Sequence, residues 1–270
     1  MFLSSIGPSE PIIGESNWMH YCKPEDVEIG GQLMCRGLLP RDYSREPFGS
    51  VGVPFDLPVI PRSEWPALIE QQEQNKSRMS DLVRHYSVPP LNQGQTNYCW
   101  INAPVMCLQL TFLREGLGFV RLSPASAGGP IKGFRNVGGW GTEGLQWLVE
   151  HGCCPVDAWP ANAIDRRYYT EENKKLALDY RVHEWVELRP RSFDELATAM
   201  LLGFPVAVGY NWWRHEVTAL DLVMLGRDRF GCRIYNSWGE GYGEKGMAVL
   251  EESKATPDDA VFARSSRRAA

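Results

Sequence analysis

The chain has 270 residues, 43% hydrophobic and 23% charged, with a formal net charge of −5. That composition belongs to a folded globular chain and excludes a wholly disordered chain, a collagen or a coiled coil. The acidic balance argues against nucleic acid or an anionic membrane surface as partner.

No run approaches about 18 uninterrupted apolar residues, so no membrane span is expected. Residues 1–8 lack the basic and apolar regions of a secretory signal. Seven cysteines stand at 22, 35, 99, 107, 153, 154 and 232, an odd number without a CxxC pair, and the five histidines are scattered. This usage predicts thiols in the cytoplasm or another reducing compartment, with no metal site and no cofactor.

The first sixty residues carry prolines at 8, 11, 24, 40, 47, 54 and 58 and glycines at 14, 30, 31, 37, 49 and 52, with Pro61 just beyond. These break every periodic run, so residues 1–85 read as an extended arm. Such an arm is a surface-hugging leader, a docking arm for a protein partner, or an inhibitory pro-segment. Ser63 precedes one short helix near residues 64–74, with Pro66 in its first turn.

Residues 86–270 are more regular. Thr142 precedes Leu145, Leu148 and Val149, and Gly152 ends that helix; Thr170 opens another at Glu171, running to about Tyr180. Ser192 and Glu195 form a capping-box pattern before Leu196, Ala199, Met200 and Leu202, closed by Gly203. After Pro205 the pattern turns to strands at 206–208, 217–225, 229–235 and 247–250, the second and third joined by Gly226-Arg227-Asp228. Helices first (about 86–200) and antiparallel strands last (about 205–262) predict an α+β fold.

The segment Asn92-Gln93-Gly94-Gln95-Thr96-Asn97-Tyr98-Cys99-Trp100 places a cysteine after a polar loop. Cys99, Ala103, Met106, Leu110 and Leu113 then share one helical face. Cys99 at a helix amino terminus would gain thiolate character from the dipole and the unpaired amides, and a thiolate is the nucleophile of covalent catalysis. Pro104 leaves two alternatives: a helix kinked in its first turns, or one that begins near Asn102 with Cys99 on the preceding loop. Much later come Arg214-His215-Glu216 and Asn236-Ser237-Trp238-Gly239.

From about Tyr86 to Leu250 this order of motifs resembles the papain-like cysteine peptidases. The resemblance implies a two-lobed fold, with the cysteine on a helical lobe and the histidine and asparagine on an antiparallel β lobe. It further implies that Cys99 is the nucleophile, His215 its base and acid, and Asn236 the amide that orients the imidazole beneath Trp238. Gln93 would be the side-chain oxyanion donor, and Gly138 and Gly139 would pair with an extended polypeptide substrate. A cysteine–histidine ion pair of this kind holds the thiol near about 3–4 in papain.

The chain departs from the family in several places. Thr96 and Asn136 stand where a disulfide is usual, consistent with a reducing setting. Tyr98 is bulky beside the nucleophile. Glu216 either raises the imidazole's proton affinity or reshapes the pocket. Only Asn211-Trp212-Trp213-Arg214 links the strand at 206–210 to His215, which predicts an open leaving-group side. Residues 1–85 lack the charged helical pattern of the lysosomal relatives' pro-segments, which favours a permanent arm. The expected activity is amide hydrolysis through an acyl-enzyme. The alternatives are a weak or inactive module with a structural or binding role in a larger assembly such as a virus particle, and acyl transfer at the same site.

Overall fold

The computed structural model describes residues 6–22, 27–41 and 57–268. Pro24, Pro47, Pro54, Gly49 and Gly52, used above to argue an extended arm, lie outside the described residues. In chain order the elements are β1 (Ile12–Ile13), β2 (Val27–Ile29), β3 (Gln32–Met34), α1 (Trp65–Asn75), α2 (Met79–His85), α3 (Cys99–Arg114), α4 (Pro124–Ile131), α5 (Gly141–Glu150) and α6 (Glu171–Ala177). There follow β4 (Tyr180–Glu187), α7 (Phe193–Leu201), β5 (Val206–Tyr210), β6 (His215–Gly226), β7 (Arg229–Tyr235), β8 (Met247–Glu251), α8 (Glu252–Ala255) and β9 (Asp259–Arg268). The fold is α+β, with helices gathered before the main run of strands.

Seven strands form one sheet in the order β1-β8-β7-β6-β5-β9-β4. Its β5 is buried along its whole length and β6 nearly so, because each face covers a separate core. Val206, Val208, Val217 and Ala219 face one core with Trp65 and Ile69 of α1 and Leu196 and Met200 of α7. Ala207, Leu220 and Val261 face the other, with Val105, Leu108 and Phe112 of α3 and Leu145 and Leu148 of α5. This period-two alternation explains why strands buried on both sides read as continuous apolar runs.

The helix expected from Thr142 starts earlier, at Gly141, because the Glu143 carboxylate accepts the Trp140 N–H at 3.1 Å and closes the first turn. Helix α6 is shorter than the sequence suggests. Thr170 caps it through the Asn173 N–H, but Tyr180 already belongs to β4. Strands β4 and β9 are missing from the sequence reading; they pair with each other, and β9 also joins β5.

The arm contributes β1, which pairs in parallel with β8 at the sheet edge, and it supplies the isolated β2–β3 hairpin. Among the described residues no helix is long and apolar enough to cross a membrane.

Candidate active site

Helix α3 begins at Cys99, with Tyr98 as its cap residue and Pro104 inside it. The backbone amides of Ile101 and Asn102 both donate to the Tyr98 carbonyl, and the Asn102 side chain adds a third bond at 2.8 Å. Those bonds hold the first turn, so Pro104 neither ends the helix nor pushes its start to Asn102. The Trp100 carbonyl, which loses its usual donor at Pro104, faces Gly144: a Cβ there would approach its oxygen to 3.4 Å.

The opposite wall comes from the β lobe. His215 opens β6 and Asn236 follows the end of β7. Imidazole Nε2 lies 2.8 Å from Asn236 Oδ1, which fixes Nε2 as the protonated nitrogen of the neutral ring. Trp238 stacks on the imidazole at 4.4 Å between centroids and 27° between planes, while Trp213 meets it edge-on at 5.1 Å. The remaining nitrogen, Nδ1, has no hydrogen-bond partner among the described residues. Gln93 is buried; its Oε1 accepts from the Ser237 hydroxyl at 2.6 Å, which aims Nε2 and its two donor hydrogens.

The arm runs through this cleft. The Gly37 N–H donates to Cys99 Sγ at 3.1 Å. Gln93 Nε2 donates to the Cys35 carbonyl at 2.9 Å and to the Thr96 carbonyl at 2.8 Å. The Gly139 amide donates to the Gly37 carbonyl at 2.9 Å, and the Leu39 amide donates to the Gly139 carbonyl at 3.3 Å, a parallel bridge centred on Leu38. Close approach explains the glycines. A Cβ on Gly37 would meet the Asn97 carbonyl oxygen at 1.8 Å, and one on Gly138 would meet the Gly37 carbonyl oxygen at 2.3 Å.

Cys99, His215, Asn236, Trp238, Gln93, Gly138 and Gly139 therefore surround one groove, although the sulfur and the imidazole are not hydrogen-bonded to each other. An ion-paired thiol is absent in this state. Burial pushes the Cys99 thiol up to about 12, with the Glu216 carboxylate adding to the rise against the Glu216, Gly37 and Trp100 amides. Burial also pushes the imidazole down to about 3, against the hydrogen bond to Asn236. Water is excluded and no countercharge replaces it, so both groups stay neutral.

Glu216 does not raise the imidazole. It lies on the other face of β6, is 2% exposed, and has its own carboxyl pushed well above the usual range by burial and by neighbouring Asp259. The arm segment at 35–39 and Asp259 near it went unread in the sequence. Neither carries a spacing pattern, and only the chain's route in space brings them to the groove.

No protein-family model matches the chain, and no curated protein matches it by sequence. Solved structures do. Xylellain, a cysteine protease from Xylella fastidiosa, is 17% identical over 92% of this chain and 99% of its own, with a TM-score of 0.59. That coverage exceeds residues 86–270 and so extends into the arm. A recombinant stem bromelain precursor is 13% identical over 82% of this chain and 78% of its own, with a TM-score of 0.58. Digestive procathepsin L 3 from Tenebrio molitor larval midgut is 16% identical over 64% of this chain, with a TM-score of 0.55. The chain matches 65% of that procathepsin and 61% of the Amb a 11 ragweed proform, under two thirds of each. At these identities the likeness establishes the architecture: this chain has the fold of the papain-like cysteine proteases.

Proposed function

We propose that this chain is a thiol hydrolase that cleaves peptide bonds through an acyl-enzyme on Cys99, and that its own arm keeps it latent. The observation that carries this reading is the His215 ring, clamped by Asn236 and Trp238 with Nδ1 unpartnered, beside the helix that begins at Cys99. A purely structural histidine gains nothing from an unsatisfied buried nitrogen, whereas a general base needs one.

With the arm displaced and a peptide in its place, the Sγ proton passes to His215 Nδ1 and the sulfur attacks the scissile carbonyl carbon. The carbonyl π pair moves onto oxygen, where Gln93 Nε2 and the Cys99 backbone N–H donate to the oxyanion. One such donor is worth about 2.7–4 kcal/mol in measured cases. Collapse breaks the C–N bond, and the leaving nitrogen takes the proton from Nδ1. Water, deprotonated by the same nitrogen, then attacks the thioester and regenerates the thiol. Asn236 holds the ring in one tautomer and orientation throughout, and no metal or organic cofactor enters the steps.

Latency follows from the arm's alignment. The carbonyl on Gln93 belongs to Cys35, yet the sulfur meets the amide N–H of Gly37. The nucleophile faces a donor hydrogen two residues away from the polarised carbonyl, so the arm fills the groove without being cut. In the test, Cys99→Ala in an arm-displaced chain abolishes both peptide turnover and labelling by a thiol-directed epoxide. Labelling that survives the substitution discards the assignment. An arm-displaced chain with intact Cys99 that neither labels nor turns over supports instead an inactive binding module.

A further inference from the structure

The segment that leads into Cys99 and the segment that leads into Gly138 and Gly139 are tied together by one side chain. Asn136 Oδ1 accepts the Asn97 N–H at 2.6 Å, and Asn136 Nδ2 donates to the Gln95 carbonyl at 3.0 Å. Asn97 Nδ2 returns a third bond to the Asn136 carbonyl at 3.1 Å. An amide offers an acceptor and a donor together, so it grips a main-chain group on each side of Thr96. A carboxylate only accepts and an ammonium only donates.

Two further bonds follow the same seam. The Tyr98 hydroxyl donates to the Arg135 carbonyl at 2.9 Å, and Trp100 Nε1 donates to the Val137 carbonyl at 3.3 Å. Residues 135–138 lie in no helix or strand, so these bonds set their course where a regular ladder does not. The arm shows what the seam fixes. Gly37 donates its N–H to Cys99 Sγ and accepts the Gly139 amide at its carbonyl. The main chain of a single residue therefore reaches from the sulfur to the pairing edge. That reach holds only while the two segments keep their spacing. Asn136 itself is exposed, and among the described residues it bonds neither the sulfur nor the arm.

We propose that Asn136 is a positioning residue, whose amide clamp sets the separation between the Cys99 sulfur and the Gly139 edge along which a bound peptide lies. The clamp rests on the hydrolase reading only for what occupies the groove. Asn136 touches no reacting atom. It acts through the main chain of Gln95 and Asn97 on one side, and through its own backbone, two residues before Gly138, on the other. Without the clamp α3 still begins at Cys99, because the Ile101 and Asn102 amides bond the Tyr98 carbonyl independently of it. What slackens is the register between the two segments. A peptide paired with Gly139 then no longer lies squarely on the sulfur, and a misplacement of about 1 Å is enough to cost about 100-fold in rate.

The test uses the full chain with Leu38→Glu, which puts a charge where a buried apolar side chain lay and displaces the arm without touching the clamp. Gly37→Val replaces it if that variant does not fold. Cys99 is alkylated by chloroacetone and, separately, by a tetrapeptide that ends in the same chloromethyl ketone, with the labelled residue identified by peptide mapping. The readout is the ratio of the two rates. The small reagent needs only the sulfur, whereas the peptide reagent must also pair along the groove. Asn136→Ala lowers the ratio about 10-fold while the chloroacetone rate changes little. Asn136→Asp keeps the acceptor for the Asn97 N–H, loses the donor to Gln95, and falls between; it decides the test if Asn136→Ala does not fold. A loss of stability alone alters both rates alike and leaves the ratio where it was. An unchanged ratio in the Asn136 variants overturns the clamp, and so does a Leu38→Glu chain in which the peptide brings no advantage. A ratio that falls in Asn136→Ala, in a chain that turns over no peptide, sinks the hydrolase and leaves the clamp standing.

Discussion

Two of the arm's contacts with the body of the protein are made by different means. At its start, β1 adds to the sheet edge and Glu10 is buried against Arg233, whose Nε and Nη2 donate to the carboxylate at 2.8 and 3.0 Å; Asp221 takes Nη1 at 2.8 Å. In the groove, residues 35–39 are held mainly by main-chain bonds and by the glycines that permit close approach. Main-chain bonds to a groove are replaceable by water or another peptide, each worth about 0.5–1.5 kcal/mol net. A buried guanidinium between two carboxylates has no such substitute. Residues 35–39 are thus the replaceable stretch, flanked by the Glu10–Arg233 contact and by the buried Arg41–Glu187 pair.

The largest expected effect lies at the anchor. Arg233→Ala strands Glu10 and Asp221 in the interior and should lower unfolding free energy by about 3–5 kcal/mol in urea titrations. A loss under about 1 kcal/mol would mean that the anchor is as replaceable as the groove contact.

The groove contact comes next. Gly37→Val should speed Cys99 alkylation at neutral pH by about 100-fold, by populating the open cleft, with the unfolding midpoint little changed. An unchanged rate would make the arm irrelevant to access. At pH 5–6 the unmodified chain should alkylate slowly, since its thiol is held up to about 12.

A third effect separates the covered site from the anchor. His215 is held down to about 3 against an ordinary value of 6.5, so the unfolded chain binds one more proton between those values. Stability is then fully present above pH 6.5 and falls as pH drops towards 3. The slope is about 1.4 kcal/mol per pH unit, and His215→Gln should remove it from denaturation curves taken at several pH values.

Much of this was legible in the sequence where causes are local. The apolar spacing from Cys99 to Leu113 lies along α3, and the strands after Pro205 read correctly because runs buried on both faces stand out. The capping pattern at Ser192 was legible only by half. Its hydroxyl does accept the Glu195 N–H at 3.3 Å, but the Glu195 carboxylate turns to the Arg189 backbone amide at 2.7 Å instead of closing the box. Strand β9 begins Asp259-Ala260-Val261-Phe262 and continues into polar residues, so it resembles a tail until β4 and β5 pair with it.

At the site, Cys99, His215 and Asn236 lay within recognisable motifs. The thiol's protonation was misread, because it depends on what covers the sulfur. That cover is Gly37, an unremarkable residue among many glycines. Glu216 was noticed as a departure, but its neighbour Asp259 stands 43 positions later, and only strand register joins them.

The smallest expected effect is at the exposed end of α1. Arg62 bonds Asp194 at 2.7 Å and Glu252 at 2.5 Å, with its side chain 47% exposed. Arg62→Ala should cost at most about 1 kcal/mol and leave Cys99 alkylation unchanged. A change in that rate would show that the segment after the groove also governs the arm.

The parallel bridge at Leu38 has a practical consequence, because its partner strand is covalently tethered rather than dissolved. A short tether presents its segment at an effective concentration of order millimolar. Any diffusing ligand must outcompete that local supply, so titrations on the intact chain report weakened apparent constants. Screening campaigns that use only the closed form would discard compounds whose intrinsic strength is ample.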